Sequence, residues 1–122
     1  RVHAVDEAAS TGRLVRTVHF RHEMIELDPS GAAVLDMLAD DYARAQPAHV
    51  VVVGYAAPDE GRMRAGAAYA QGISERRAGS VRNYLYRHGV PLSRIQVRGR
   101  GLALPAEGGE NPSRRSVEIF FE

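Results

Sequence analysis

The sequence predicts one α/β (α+β) domain: a two-layer sandwich whose mixed four-stranded sheet carries two main helices on one face, in the order β-α-β-α-β-β. Three observations predict it. Val50-Val51-Val52-Val53 is a run of four β-branched residues, the mark of a central strand covered on both faces. Two amphipathic stretches flank it, one opened by Asp28-Pro29 and one closed by Gly89 and Pro91. Two further strand-like segments, Arg94–Gly99 and Ser116–Phe121, follow with only loop between them. At 122 residues the chain can build one core and has no room for two.

Residues 1–13 are small and polar and read as a linker or lead-in, leaving residues 14–122 for the domain. In Leu14–Phe20 the apolar Leu14, Val18 and Phe20 alternate with polar residues, a half-buried strand. Asp28 then serves as N-cap and Pro29 as first residue of a helix running to about Ala45. Its apolar face is Val34, Leu35, Leu38, Tyr42 and Ala45; Asp40 and Arg44 are spaced for an i,i+4 ion pair, and Pro47 closes it. The stretch from Ala56 to Gly72 is rich in Gly, Ala and Pro and reads as a long loop, with a helical turn around Met63–Ala68. The second helix is expected from about Ile73 to His88, with Gly89 as its cap. Ile95 and Val97 then face inward from one strand, Val117, Ile119 and Phe121 from the last, and the loop Gly101–Ser113 joins the two.

Composition removes several chemistries. No apolar run approaches the roughly 18 residues of a membrane-spanning helix. Arg1 is not a start methionine and no signal-peptide pattern follows it, so the stretch reads as a piece of a longer protein. There is no cysteine, hence no disulfide, thiolate nucleophile or cysteine-ligated zinc. All 16 basic residues are arginine, which excludes a P-loop or Schiff-base lysine. The five histidines show no metal-ligand spacing, and no GxSxG elbow is present. His22 and Glu23 are adjacent at a strand end, where neighbouring side chains point to opposite faces. Gly99-Arg100-Gly101 is followed by Pro105 and loop rather than a helix, so it is a turn and not a dinucleotide motif. The expectation is a binding domain with no catalytic residues, no metal and no cofactor.

Net charge is +1, yet unevenly placed: residues 1–61 carry 5 Arg against 10 acidic residues, residues 62–122 carry 11 against 5. The cationic second half suits an anionic partner, although it offers neither a recognition helix nor an aromatic platform for nucleic acid. Within it, Ile73, Arg77, Val81 and Leu85 recur at four-residue steps, drifting about 40° each around a helix. Arg77 therefore lies on or beside an apolar stripe, near the start of the expected helix. An arginine there requires water or an anion at its head. The expected helix N-terminus beside it adds partial positive charge that favours a carboxylate. An intramolecular salt bridge and a ligand contact both satisfy it; Arg76, about 100° round, is expected in solvent.

Several segments taken together resemble the OmpA-like peptidoglycan-associated domain (the OmpA C-terminal, Pal and MotB family). They are Val18-His19-Phe20, Leu27-Asp28-Pro29 opening a helix, and Val50–Val53 running into Gly54-Tyr55. More specific are Tyr69-Ala70-Gln71-Gly72-Ile73-Ser74-Glu75-Arg76-Arg77-Ala78, similar to the family's YNxxLSxxRA stretch, and Asn111-Pro112-Ser113-Arg114-Arg115-Ser116-Val117-Glu118-Ile119, similar to its NRRVEI ending. The resemblance covers about residues 14–122.

It implies a non-covalent grip on the diaminopimelate of the peptidoglycan stem peptide, in the periplasm of a Gram-negative-type envelope. Any membrane attachment would lie outside this chain. The family's arginine, which pairs with the ligand carboxylate, falls on Arg77, and Arg114 or Arg115 matches the arginine of the final motif. The family's aspartate, which pairs with the ligand ammonium, does not carry over: Ala57 stands in its place, and Ala70 stands at the family's asparagine. The loop after Ala57 is longer than in OmpA, and Asp59 or Glu60 is the candidate replacement acid. The expected peptidoglycan-binding set is Arg77, Arg114, Arg115 and Asp59. The alternative is a domain that has lost wall binding and serves as a structural or protein-interaction part of an envelope assembly.

Overall fold

A computed structural model describes residues 10–61, 66–106 and 114–122. The strands are β1 (Arg13–His19), β2 (Val50–Gly54), β3 (Ile95–Gly99) and β4 (Ser116–Phe121); the helices are α1 (Pro29–Ala45), α2 (Pro58–Gly61) and α3 (Ala67–Arg87). The sheet order is β1-β4-β2-β3, with β2 parallel to β3 and the other pairings antiparallel. It is the expected mixed sheet with both main helices on one face, plus the short α2.

Side-chain alternation separates two apolar layers. Val50 and Val52 of β2 and Val117, Ile119 and Phe121 of β4 pack with Leu35 and Leu38 of α1 and Ala78, Val81 and Leu85 of α3. The opposite face gathers Val51, Val53, Tyr55 and Phe120, against which Leu14 and Ala103 pack. Burial of β2 on both faces explains its unbroken valine run.

β1 departs from simple alternation. Its register with β4 shifts between Leu14 and Arg16, so Val15 joins the helix-side layer with Val18 and Phe20 while Leu14 turns to the other. One extra residue in a strand reverses the phase of everything before it. Arg13, the last residue of the expected lead-in, begins β1, and Ser10 and Thr11 hydrogen-bond the Glu122 carboxylate. Residues 1–9 lie outside the described residues.

α1 starts as expected: the Asp28 carboxylate accepts from the Gly31 N–H at 2.9 Å and from the Ser30 hydroxyl at 2.7 Å, and Pro29 fills the first helical position. Both bonds hold the Asp28 carboxyl below its ordinary pKa. Two details differ. Arg44 pairs with Asp41 at 2.8 Å rather than with Asp40, and Asp41 also holds Arg16 of β1 at 2.7 Å; Ala45, the last helical residue, is exposed.

The largest correction concerns α3, which begins at Ala67, six residues before the expected Ile73. Tyr69, Ala70 and Ile73 form an apolar stripe against Ala56, and this packing carries the helix through Gly72. Part of the expected 56–72 loop is therefore helix, and Pro58–Gly61 forms α2. Of the helical turn expected at 63–68, residues 63–65 lie outside the described set, while Ala67 and Ala68 are the first residues of α3.

At its far end α3 closes with paired bonds, Gly89 N–H to Tyr86 and Val90 N–H to Leu85, with Gly89 at φ +103°. Val90 packs in the same layer as Leu85. α3 also lies hard on the sheet. A Cβ on Gly54 would stand 2.0 Å from the Ser74 carbonyl oxygen, and one on Gly99 2.8 Å from Ser74 Oγ. That Oγ accepts from the Gly101 N–H at 2.9 Å, which fixes α3 where Arg77, one turn on, reaches the end of the sheet.

Candidate functional site

Arg77 lies ten residues inside α3, not in its first turn, so the helix N-terminus expected beside it is remote. The side chain is entirely buried, and each of its five N–H donors has an acceptor. Nε donates to the Met24 carbonyl at 2.8 Å, one terminal nitrogen to Tyr55 O at 3.1 Å, the other to Arg21 O at 3.1 Å. The two remaining donors meet one carboxylate, that of Glu60, at 2.8 and 2.5 Å. The Phe20 ring lies 5.4 Å from the guanidinium carbon.

Three backbone segments build this setting. Residues 21–24 form a turn between β1 and α1, closed by Met24 N–H to Arg21 O and by Glu23 in the left-handed region at φ +57°. Tyr55 follows β2, and α2 follows Tyr55. His22 and Glu23 thus lie in a turn rather than at a strand end, and their side chains meet at 3.7 Å instead of diverging.

Glu60 is as buried as its partner. Besides Arg77, its oxygens accept the Ala57 N–H at 2.8 Å and the Glu23 N–H at 2.6 Å, so each oxygen takes two hydrogen bonds. Burial pushes the Glu60 carboxyl up; the hydrogen bonds from Arg77, Ala57 and Glu23 and the arginine's charge outweigh it and hold the carboxyl below its ordinary range. Removing one member would strand a buried charge.

The other expected residues lie around this pair. Asp59 points outward, 3.2 Å from Arg115 and 3.3 Å from His22 Nδ1, with about half its side chain exposed (46%). The Arg115 carbonyl accepts the Phe20 N–H, tying the lead-in to β4 to the strand end beneath Arg77. Arg114 is half-buried and makes no ion pair among the described residues; residues 107–113, including Asn111-Pro112-Ser113 of the final motif, lie outside them. Ala57 contributes its N–H to Glu60, and Ala70 is wholly buried against Ala56 and Ile73. Arg76 is exposed.

Of the two acids offered as replacements for the family aspartate, Glu60 binds Arg77 itself and Asp59 lies on Arg115, and one local signal pointed to the position of Glu60. In Ala57-Pro58-Asp59-Glu60 the glutamate occupies the third helical position after a proline at the first, from which a carboxylate reaches back to the N–H of the capping residue. Asp59, one position earlier, is rotated about 100° away.

A second buried polar cluster lies on the opposite sheet face. Tyr55 donates to Glu118 at 2.9 Å, and Glu118 also accepts the Ala106 N–H at 3.0 Å. Burial and the adjacent carboxylate push the Tyr55 phenol well above its ordinary pKa. Among the described residues no group of three His, Asp or Glu side chains is placed to hold a metal ion, and no helix is long and apolar enough to cross a membrane.

A family model described as the OmpA family matches residues 19–118. Outer membrane protein A of Escherichia fergusonii is 38% identical over 107 residues, covering 84% of this chain and 42% of that protein. Outer membrane protein A of Escherichia coli O157:H7 is 38% identical, with 29% of its length covered. The chain thus spans less than half the length of these relatives. Among solved structures, the OmpA-like domain of FopA1 from Francisella tularensis superposes with a TM-score of 0.72 at 23% identity, covering 84% of this chain and 68% of that one. The peptidoglycan-associated lipoprotein of Burkholderia pseudomallei superposes with a TM-score of 0.71 at 19% identity, covering 88% and 91%. The periplasmic domain of Helicobacter pylori MotB gives 0.68 at 18%, covering 86% and 67%.

Proposed function

The chain belongs to the OmpA family, and on that premise we propose that it is a non-enzymatic anchoring module that associates non-covalently with peptidoglycan and holds an envelope protein to the wall. The periplasm is its place in this reading. Support comes from relatives whose names carry the terms outer membrane, peptidoglycan-associated and periplasmic. Nucleic acid is not a partner, and attachment to a membrane belongs to parts beyond this chain.

The observation that carries the reading is the family match over residues 19–118, and within it the fork of Arg77 is the group suited to a carboxylate. Three donors are tied to the carbonyls of Arg21, Met24 and Tyr55, and the remaining two, which Glu60 occupies, are set in the bidentate geometry that a carboxylate takes. A diaminopimelate head offers such a group. Asp59 of α2 and Arg115, paired with each other and partly exposed, are the acid and base a wall fragment would meet in this reading, and Arg114 precedes Arg115 on the approach to β4.

The same geometry favours a second reading. Glu60 already fills the fork, so a domain in which that pair never opens acts as a structural or protein-interaction part of an envelope assembly. Co-sedimentation with isolated sacculi separates the two. The wall reading expects wild type to sediment and free diaminopimelate to release it; wild type left in the supernatant overturns that reading in favour of the second. Sedimentation unchanged in Asp59→Ala and Arg115→Ala removes those residues from the contact.

A further inference from the structure

We propose that the cradle of Arg77 is a carboxylate seat that this chain fills from within, and that Glu60 thereby decides whether any other carboxylate is admitted. Four N–H donors converge on the Glu60 carboxylate: one from each terminal nitrogen of Arg77, the Ala57 amide at 2.8 Å and the Glu23 amide at 2.6 Å. None of them belongs to Glu60. Their positions are set by other parts of the fold: the fork by three carbonyls, the Glu23 amide by the 21–24 turn, the Ala57 amide by the segment after β2, where the Tyr55 and Ala56 N–H groups are tied to the Ser116 and Gly101 carbonyls. The seat is therefore defined without its occupant, as binding sites with preorganised donors are. Glu60 reaches it on a tether of a few bonds, and an intramolecular group competes at an effective concentration that a free ligand rarely matches.

Truncating Glu60 to alanine removes the carboxylate and leaves the four donors buried around a space of carboxylate size. Unsatisfied buried donors, one set of them charged, are costly, so the emptied seat has affinity for a small free carboxylate. The wild-type chain rejects the same ligand because its own acid is in place. One consequence rests on the wall reading above: a stem-peptide carboxylate reaches Arg77 only by displacing Glu60.

Thermal unfolding in sodium formate or acetate, against sodium chloride of equal ionic strength, tests the seat. Glu60→Ala melts below wild type in chloride, and formate and acetate raise its Tm by several degrees along a saturable curve. Wild type, the double variant Glu60→Ala/Arg77→Met, and Glu60→Gln, whose amide still fills the space, respond alike to the carboxylate salts and to chloride. If Glu60→Ala is unfolded in chloride, recovery of its native circular dichroism in formate reads the same seat. Equal gains in formate and chloride, a gain that persists without Arg77, or a variant unfolded in every salt overturns the proposal. A wild type that ignores sacculi ends the wall reading and leaves this result standing; absence of rescue ends the seat and leaves sedimentation untouched.

Discussion

Asp59 and Glu60 are neighbours on a four-residue helix, carry the same charge, and each meets an arginine. Their surroundings differ. Glu60 and Arg77 are withdrawn from water completely, and every polar atom of both head groups is engaged within the fold. Asp59 and Arg115 stay about half and a third exposed, at 46% and 36%, so solvent competes for each contact they make. Desolvation turns the first pair into a joint that the fold cannot lose cheaply and leaves the second as an adjustable surface contact. The buried contacts are shorter, 2.5 Å against 3.2 Å, but burial and the number of satisfied donors are what separate the pairs energetically.

That contrast breaks most readily at the buried pair. Arg77→Ala and Glu60→Ala are each expected to destabilise the domain by about 3–5 kcal/mol, read as a lower urea midpoint, because each strands its partner's charge. Arg77→Met with Glu60→Leu should cost less than either single change, since no charge is left unpaired. A single-variant loss as small as that of an exposed pair would erase the distinction.

Acid acts on the same joint. The Glu60 carboxyl lies below its ordinary pKa, so its contribution to stability is complete above the unfolded-state value and is lost as pH falls through the folded one. The stability gap between wild type and Glu60→Gln, measured by denaturation across the acid range, should therefore narrow as pH drops. A gap constant with pH would mean that ionisation of Glu60 is not what the pair depends on.

Next in size is the frame that delivers Arg77. Gly54→Ala drives a Cβ into the Ser74 carbonyl and should cost about 1–3 kcal/mol or more in chemical denaturation, whereas Gly72→Ala in the same helix meets nothing within 4 Å and should stabilise by about 0.5–1 kcal/mol. The smallest effect belongs to the exposed pair: Asp59→Ala or Arg115→Ala should change stability by about 0–1 kcal/mol, and by less in high salt.

Much of this was legible in the chain itself. The valine run, the Asp28-Pro29 start and the glycine stop at Gly89 are local signals, and the helix cap and helix stop appear where those residues stand. The start of α3 was obscured because Gly72 and the small residues around it look like loop until Ala56 supplies a surface for Tyr69, Ala70 and Ile73. The face of Leu14 was obscured because a bulge depends on the partner strand and leaves no mark on alternation. Asp59 and Glu60 were both visible as acids, and only half of a capping pattern favoured one over the other.

Arg77 measures the boundary between the two kinds of information. From periodicity the sequence determined that an arginine would stand on or beside the apolar face of the second long helix, where its head group requires water or an anion. Which carboxylate, and whether water reaches it, were decided only by tertiary structure. That choice required the turn after β1, the segment after β2 and α2 to converge on one guanidinium, and a convergence of segments 56, 22 and 17 residues away from it along the chain has no local signature.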